Sequence, residues 1–352
     1  MRVLHIVTSM TLGGIETMLV NIVNAQSLYS EVFVIIVNDL YDKNLVQMFL
    51  PRVKIFYLKR PAGSKFPGHL IRLNREIFRI HPDVIHLHNT KLWRYLFHPL
   101  IRQPIFVTVH DVYNEQTRFL YVNKFKYVFS ISESVRQSLL EHAKKESVVI
   151  ENGISVDSFK KKIIPCTRIC RLVQVSRLEA SRKGQILLLK ALDLFSRQHP
   201  NYKFTLDFIG EGSSRESILG VASSLNWNGS IHFLGAKSQS FLFEHLCSYD
   251  LVVQPSYFEG FGLTIAEAMA AKVPVLIADN EGPMQIIGNG KYGLFFKRGN
   301  IDDCAKQLGK IFLNGYSWDM VEAAYHRVLE RYSVLKTAKS YFDQYLKVVK
   351  NG

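Results

Sequence analysis

Apolar runs in this chain are short: stretches such as 32–37 stop far below the roughly 20 residues that a membrane-crossing helix requires. Cysteine is scarce, with 4 in 352 residues, and only Cys166 and Cys170 are close together, as C-x3-C. That number and spacing argue against a disulfide framework or a zinc cluster. Glycine (21) and proline (11) are too few for a low-complexity or collagen-like chain, and 47% hydrophobic residues exclude extensive disorder. After Arg2 the chain runs into a strand-like 3–7, shorter than a secretory apolar core and without a small-residue cleavage pattern, so the protein is expected in the cytoplasm.

Acidic residues are also in short supply, 30 against 44 basic ones. The imbalance is local. Residues 1–165 hold 22 Lys and Arg against 13 acids, and residues 52–102 hold 11 against Glu76 and Asp83 alone. Such a face attracts an anionic surface, either a membrane or an acceptor carrying phosphates. No zinc-finger, basic-zipper or RNP-like pattern accompanies it, which argues against nucleic acid.

Short Val- and Ile-rich runs at 2–7, 32–37, 53–58, 84–87, 105–109 and 127–131 read as buried strands, with helical periodicity between them at 16–26, 66–80 and 133–142. A second series follows a basic, irregular stretch at 159–168. Strands at 171–175, 204–209, 231–233, 251–254, 275–278 and 293–296 alternate there with helices at 184–198, 214–225, 264–271 and 301–312. The alternation predicts two parallel, doubly wound α/β sheets. We divide the chain into 1–165, 166–334 and a C-terminal helix at 335–352 that could return to the first domain. Ligands of such sheets sit at the carboxyl ends of the strands.

The richest segment is 255–269, PSYFEGFGLTIAEAM, directly after a strand. Gly260 and Gly262 allow close backbone approach, and the helix beginning near Leu263 and Thr264 offers free N–H groups and a positive dipole end to a phosphate. Glu259 precedes that helix and Glu267 lies within it. Isolated, the two would be ordinary solvated acids. At the mouth of a phosphate site they become candidates for holding a polar ligand.

This segment resembles the EGFG-L-x3-E core of the retaining GT-B glycosyltransferases of family 4. Other pieces follow the same family in order. Gly13-Gly14-Ile15-Glu16 resembles its N-terminal Gly-Gly loop, Asp83 to Asn89 its D-x-x-H-x-H strand, and Thr108-Val109-His110-Asp111 the strand end carrying its active-site histidine. Ile150 to Ile154 is similar to the family's N-G-[IV] segment, Val175 to Leu178 with Lys183-Gly184 to its R-L and K-G phosphate clamp, and Ile209 to Gly212 to its G-x-G turn. The resemblance runs from residue 13 to about 296.

It implies a GT-B architecture, two Rossmann-like domains facing across a cleft, and a nucleotide-diphosphate sugar as donor substrate, with no further cofactor. A UDP-sugar is favoured and GDP-mannose is the alternative. It also implies a growing or lipid-linked bacterial surface polysaccharide as acceptor, in O-antigen or capsule synthesis, reached at the inner face of the membrane. Residue by residue, Arg177 and Lys183 would neutralise the departing pyrophosphate, Gly14, Gly262, Leu263 and Thr264 would approach the donor, Glu267 would accept the ribose hydroxyls, and Glu259 and His110 would face the transferred sugar. Cations on a leaving diphosphate stabilise the transition state more than the ground state.

With one carboxylate expected near the anomeric carbon, a double displacement through two acids about 5 Å apart is disfavoured and same-face attack is favoured. No D-x-D occurs, so no metal is expected. His86 and His88 share one side of a strand but have no third ligand nearby in sequence. Two positions depart from the family pattern: Gln285 stands where an acid is common, and Thr17 where Arg is. Residues 91–102, KLWRYLFHPLIR, place Lys91, Arg94, His98 and Arg102 on one helical stripe, a pattern of membrane-surface helices that Pro99 would interrupt. Two rival readings are a sugar-nucleotide epimerase, which would turn over without an acceptor, and a polyanion-binding protein, whose binding would be insensitive to Glu259 and Glu267.

Overall fold

The structure, a computed structural model, describes residues 1–351 apart from 12, 113–120, 165–167, 169 and 226–228. Cys166 therefore lies outside the described residues; Cys170, Cys247 and Cys304 are free thiols. The chain forms two compact units, Met1–Ile154 with Tyr332–Gly352, and Ser155–Arg331.

The first unit is built on seven parallel strands, β1 (Arg2–Val7), β2 (Glu31–Asn38), β3 (Lys54–Arg60), β4 (Val84–Leu87), β5 (Ile105–Val109), β6 (Tyr127–Ser130) and β7 (Val148–Val149). They lie in the order β3-β2-β1-β4-β5-β6-β7. Residues 32–37 of β2 are buried throughout, as an apolar run covered on both sheet faces must be. The last helix, Val334–Asn351, belongs to this unit. It inserts Tyr341 and Tyr345, both fully buried, over the sheet, and packs Phe342 edge-on against Tyr29.

The second unit carries six parallel strands, β8 (Arg171–Val175), β9 (Phe204–Ile209), β10 (Gly229–Phe233), β11 (Leu251–Gln254), β12 (Val275–Ala278) and β13 (Leu294–Phe296), in the order β10-β9-β8-β11-β12-β13. Leu172, Leu206, Phe208, Val253 and Leu276 form the buried face with Leu188, Leu192 and Phe195 of the helix Gln185–Gln198. Phe195 meets Phe312 of the helix Ile301–Asn314 with ring centroids 4.7 Å apart. Both units are thus Rossmann-like α/β folds, each reversing strand order once: between β1 and β4, and between β8 and β11. A doubly wound sheet opens its ligand crevice at that reversal.

Two expectations change. The units divide at Ile154/Ser155, ahead of the basic stretch where the sequence suggested a boundary. That stretch is docked on the second unit: the Lys160 and Lys162 amides donate to the carbonyls of Phe243 and Ala271, and the Lys162 ammonium pairs with the buried Asp250 at 3.2 Å. Residues 91–102 do not form a helix. A 3-10 turn, Thr90–Tyr95, gives way to extended backbone at Leu96, and Trp93 stacks on His98 at 3.8 Å. Leu92 and Leu96 are buried while Leu100 is exposed, so the expected basic helical stripe does not exist as such.

Candidate active site

The expected site residues of the second unit converge where β8 and β11 end. Two buried glutamines arrange the loop after β8: Gln185 donates to the Arg177 carbonyl at 2.8 Å and Gln174 to the Lys183 carbonyl at 2.7 Å. Gly184 follows in the left-handed region, φ +70°, and a Cβ there would lie 2.0 Å from the Pro255 carbonyl oxygen. Only glycine lets the lysine loop press against the end of β11. Lys183 thereby reaches Glu259, its ammonium donating to the carboxylate at 2.7 Å with both side chains under 20% exposed. Arg177 is the exposed cation by contrast: its side chain is 64% exposed and its guanidinium stands 3.7 Å from Glu179.

The loop 255–262 is pinned from the other side. Asn280 donates to the Ser256 carbonyl at 2.6 Å and accepts from Arg298 at 3.2 Å. At its end Gly262, φ +103°, caps the helix Leu263–Ala270, a conformation closed to most side chains. The half-buried Leu263 is the first helical residue, and the Thr264 hydroxyl donates to the Val175 carbonyl at 3.2 Å, fastening the helix start to the end of β8. The helix therefore aims its N-terminal amides and positive dipole end at the place where Lys183 stands. Glu267 lies one turn deeper on this helix. Burial pushes its carboxyl up to about 7, against a hydrogen bond from Gln239 that pulls it down.

Gln285 sits in the helix Glu281–Ile286 and its carbonyl accepts from Arg327 at 2.8 Å. Gln174, Gln185, Asn280 and Arg298 were not singled out in the sequence. Isolated amides and one arginine have no local pattern, because their partners are loop carbonyls that only the folded chain brings near.

The first unit presents its own candidates at equivalent strand ends. Gly14, exposed, opens the helix Gly14–Gln26 beyond β1. His110 follows β5, with both ring nitrogens buried and, among the described residues, without a hydrogen-bond partner. Burial lowers it to about 4, so the ring is neutral at physiological pH. His86 and His88 do acquire a third imidazole, His5 of β1, with ring nitrogens of the three within 4.8 Å of one another. Five of the six nitrogens are already committed, however, all but His88 Nδ1: those of His86 to Tyr345 (2.6 Å) and Thr108 (2.8 Å), those of His5 to Gln26 (2.8 Å) and to His88 Nε2 (3.0 Å). An ion ligated by all three would have to break this network.

The chain matches the family model of group 1 glycosyl transferases over residues 169–327 and that of glycosyltransferase family 4 over residues 12–158. It is 23% identical over 320 residues to the lipopolysaccharide 1,6-galactosyltransferase of Escherichia coli, covering 85% of each chain. It is 26% identical over 219 residues to the poly(ribitol-phosphate) α-N-acetylglucosaminyltransferase of Staphylococcus aureus, 60% of this chain and 42% of that one. The chain spans 11%, 20% and 42% of the length of three of its curated relatives, the staphylococcal enzyme among them. Anabaena HepE, solved with UDP and glucose, superimposes with a TM-score of 0.80 at 20% identity, covering 98% of this chain and 99% of that one. With both of its sheets matched by the paired domain models and the fold shared end to end, the chain belongs to the GT-B glycosyltransferases of family 4 type.

Proposed function

We propose that this glycosyltransferase is a retaining, metal-independent enzyme that moves a hexose or N-acetylhexosamine from a nucleotide-diphosphate sugar, UDP-linked by preference, to a growing or lipid-linked surface polysaccharide. The observation that carries the reading is the meeting of Lys183, Glu259 and the Gly262-capped helix start at the β8/β11 reversal. A diphosphate placed there takes Lys183 away from Glu259 and recruits the exposed Arg177. Glu259 is then left beside the sugar, where its charge favours an oxocarbenium-like ring.

In the same-face route, the bond from the anomeric carbon to the β-phosphate oxygen breaks. The acceptor oxygen bonds to that carbon on the same face, and its proton passes to the departing phosphate oxygen. No separate general base is needed, which suits the neutral His110 as a binding group. The test is mass spectrometry of products from a panel of UDP- and GDP-sugars with a lipid-linked acceptor, with the anomeric proton coupling reporting retention. Products of inverted configuration, or sugar-nucleotide isomers formed without acceptor, would overturn it. Activity in excess EDTA should equal activity with added Mg²⁺ or Mn²⁺; a loss beyond about tenfold that metal restores would sink metal independence.

For the acceptor, the basic first unit supports an anionic membrane surface at the inner face of the cell membrane. No helix among the described residues is long and apolar enough to cross a membrane. The contact we assign instead is the helix Gly68–Ile80, whose outer face carries Ile71, Arg72, Arg75 and Arg79, just after the exposed Phe66. At roughly 1 kcal/mol per basic residue near anionic headgroups, replacing the three arginines by glutamine should weaken vesicle binding about 100-fold. Co-sedimentation with anionic but not neutral vesicles, weakened by salt, is expected. Equal binding to neutral vesicles would point to Phe66 and Ile71 alone, and no binding would leave the charge to a phosphate-bearing acceptor.

A further inference from the structure

Four imidazoles meet on one side of the first unit's sheet. His5 of β1 lies directly beside His86 of β4 in register, His88 follows β4, and His110 follows β5. His5, His88 and His110 form a stack, with ring centroids 5.3 Å apart at 26° and 5.7 Å apart at 25°. The hydrogen bonds through it have one consistent direction. The Gln26 oxygen, 2.8 Å from His5 Nε2, can only accept, so His5 carries its hydrogen on Nε2. Burial lowers His5 to about 4, which keeps the ring neutral and leaves Nδ1 bare. That bare nitrogen is 3.0 Å from His88 Nε2, which must therefore be the donor.

His88 is held neutral by burial and by the neighbouring His86, His5 and His110 rings. With its one hydrogen on Nε2, its Nδ1 is a bare acceptor. Among the described residues this buried atom has no hydrogen-bond partner, and both ring nitrogens of His110 share that condition. An unmet buried polar atom costs about 1–3 kcal/mol, so unmet atoms on two adjacent rings call for a ligand that meets them. His86 is not available for the task, because Tyr345 and Thr108 occupy both its nitrogens.

We propose that His88 Nδ1 is a specificity-determining acceptor for a hydroxyl of a hexose bound at the strand ends of the first unit, beside His110, with Gln26 and His5 fixing the His88 tautomer. The inference rests on the glycosyl-transfer reading of the site. A nitrogen that can only accept selects a sugar position bearing a hydroxyl and discriminates against the same position carrying fluorine, which cannot donate. His5 is a positioning residue in this scheme, acting through His88.

Nitrogen-15 spectra of the intact protein, with His88 resonances identified by their loss in His88→Gln, read the tautomer directly. The expected state is a protonated Nε2 and a bare Nδ1, and His5→Phe should mix the two forms. A wild-type His88 protonated on Nδ1 overturns the proposal. The second arm titrates UDP, UDP-glucose, UDP-galactose and UDP-N-acetylglucosamine while calorimetry follows binding. The Nδ1 resonance should shift with a sugar nucleotide and stay in place with UDP. Calorimetric binding of the sugar nucleotides without that shift sinks this inference alone, whereas no binding of any of them sinks the glycosyl-transfer reading with it.

With the sugar that binds, His88→Phe should lower kcat/KM about 10- to 100-fold and His88→Asn less. One monodeoxyfluoro form of that sugar should be penalised in the wild type and not further in His88→Phe. Unchanged kcat/KM in a folded, active His88→Phe enzyme would overturn the assignment.

Discussion

Lys183→Ala is expected to lower kcat/KM by about 30- to 1,000-fold, the equivalent of about 2 to 4 kcal/mol of lost transition-state stabilisation. The reason is where the ammonium stands. Gly184 and Gln174 hold the lysine loop against the end of β11, and the helix start capped by Gly262 adds its dipole to the same spot. A diphosphate bound there gains negative charge as the sugar leaves, and a fixed cation acts most strongly at that moment. Lys183 is paired with Glu259 at 2.7 Å, so its removal also leaves a partly buried carboxylate unneutralised. Stability should nonetheless fall by no more than about 1–2 kcal/mol, since solvent still reaches the pair. Arg177→Ala should show the same kinetic loss with even less change in stability, its side chain being 64% exposed. Steady-state kinetics beside urea melts separate the two effects. Wild-type kcat/KM in both variants would remove the clamp from the site.

Glu267→Gln should move activity and stability in opposite directions. Burial holds this carboxyl at about 7, above its ordinary value of 4.5, so the folded protein keeps the proton to higher pH than the unfolded chain does. Below pH 4.5 both states are protonated and the group contributes no difference. As pH rises the unfolded chain ionises first, and folding stability falls until the pH passes about 7, by roughly 3 kcal/mol in all. The glutamine variant lacks that loss and should be the more stable protein at pH 8, with the gap closing towards pH 4.5.

Its affinity for UDP should fall about 10- to 100-fold at pH 8, because a charged acceptor for ribose hydroxyls has been replaced by a neutral one. The wild-type affinity should weaken in turn as pH drops through 7 and the carboxylate is lost. Urea melts across pH 4.5–8 and calorimetric titration with UDP test both halves. Equal melts for the two proteins at pH 8 would show that the buried carboxyl carries no penalty, and equal UDP affinity would take Glu267 out of the nucleotide site.

Much of this molecule was already determined locally. Apolar runs such as 32–37 can only be strands covered on both faces, and their alternation with helical periods leaves a parallel doubly wound sheet as the economical solution. Glu259, Gly262, Leu263, Thr264 and Glu267 lie within one short segment, 259–267, so their shared location follows from one loop and the helix it opens. What only the tertiary structure decided depends on pairs distant in the chain. The Lys183–Glu259 ion pair spans 76 positions, and the glutamine braces meet carbonyls through loops rather than along an element. The basic stripe at 91–102 failed because burial of Leu92 and Leu96 and the stacking of Trp93 on His98 outweighed a helical period, while the helix Gly68–Ile80 carried the exposed arginines instead. His5 could not be joined to His86 and His88 from spacing, since parallel pairing of β1 with β4 sets strands 81 positions apart side by side. A side chain's neighbours across a parallel sheet depend on strand order and register, and both are chosen by the packing of the whole domain.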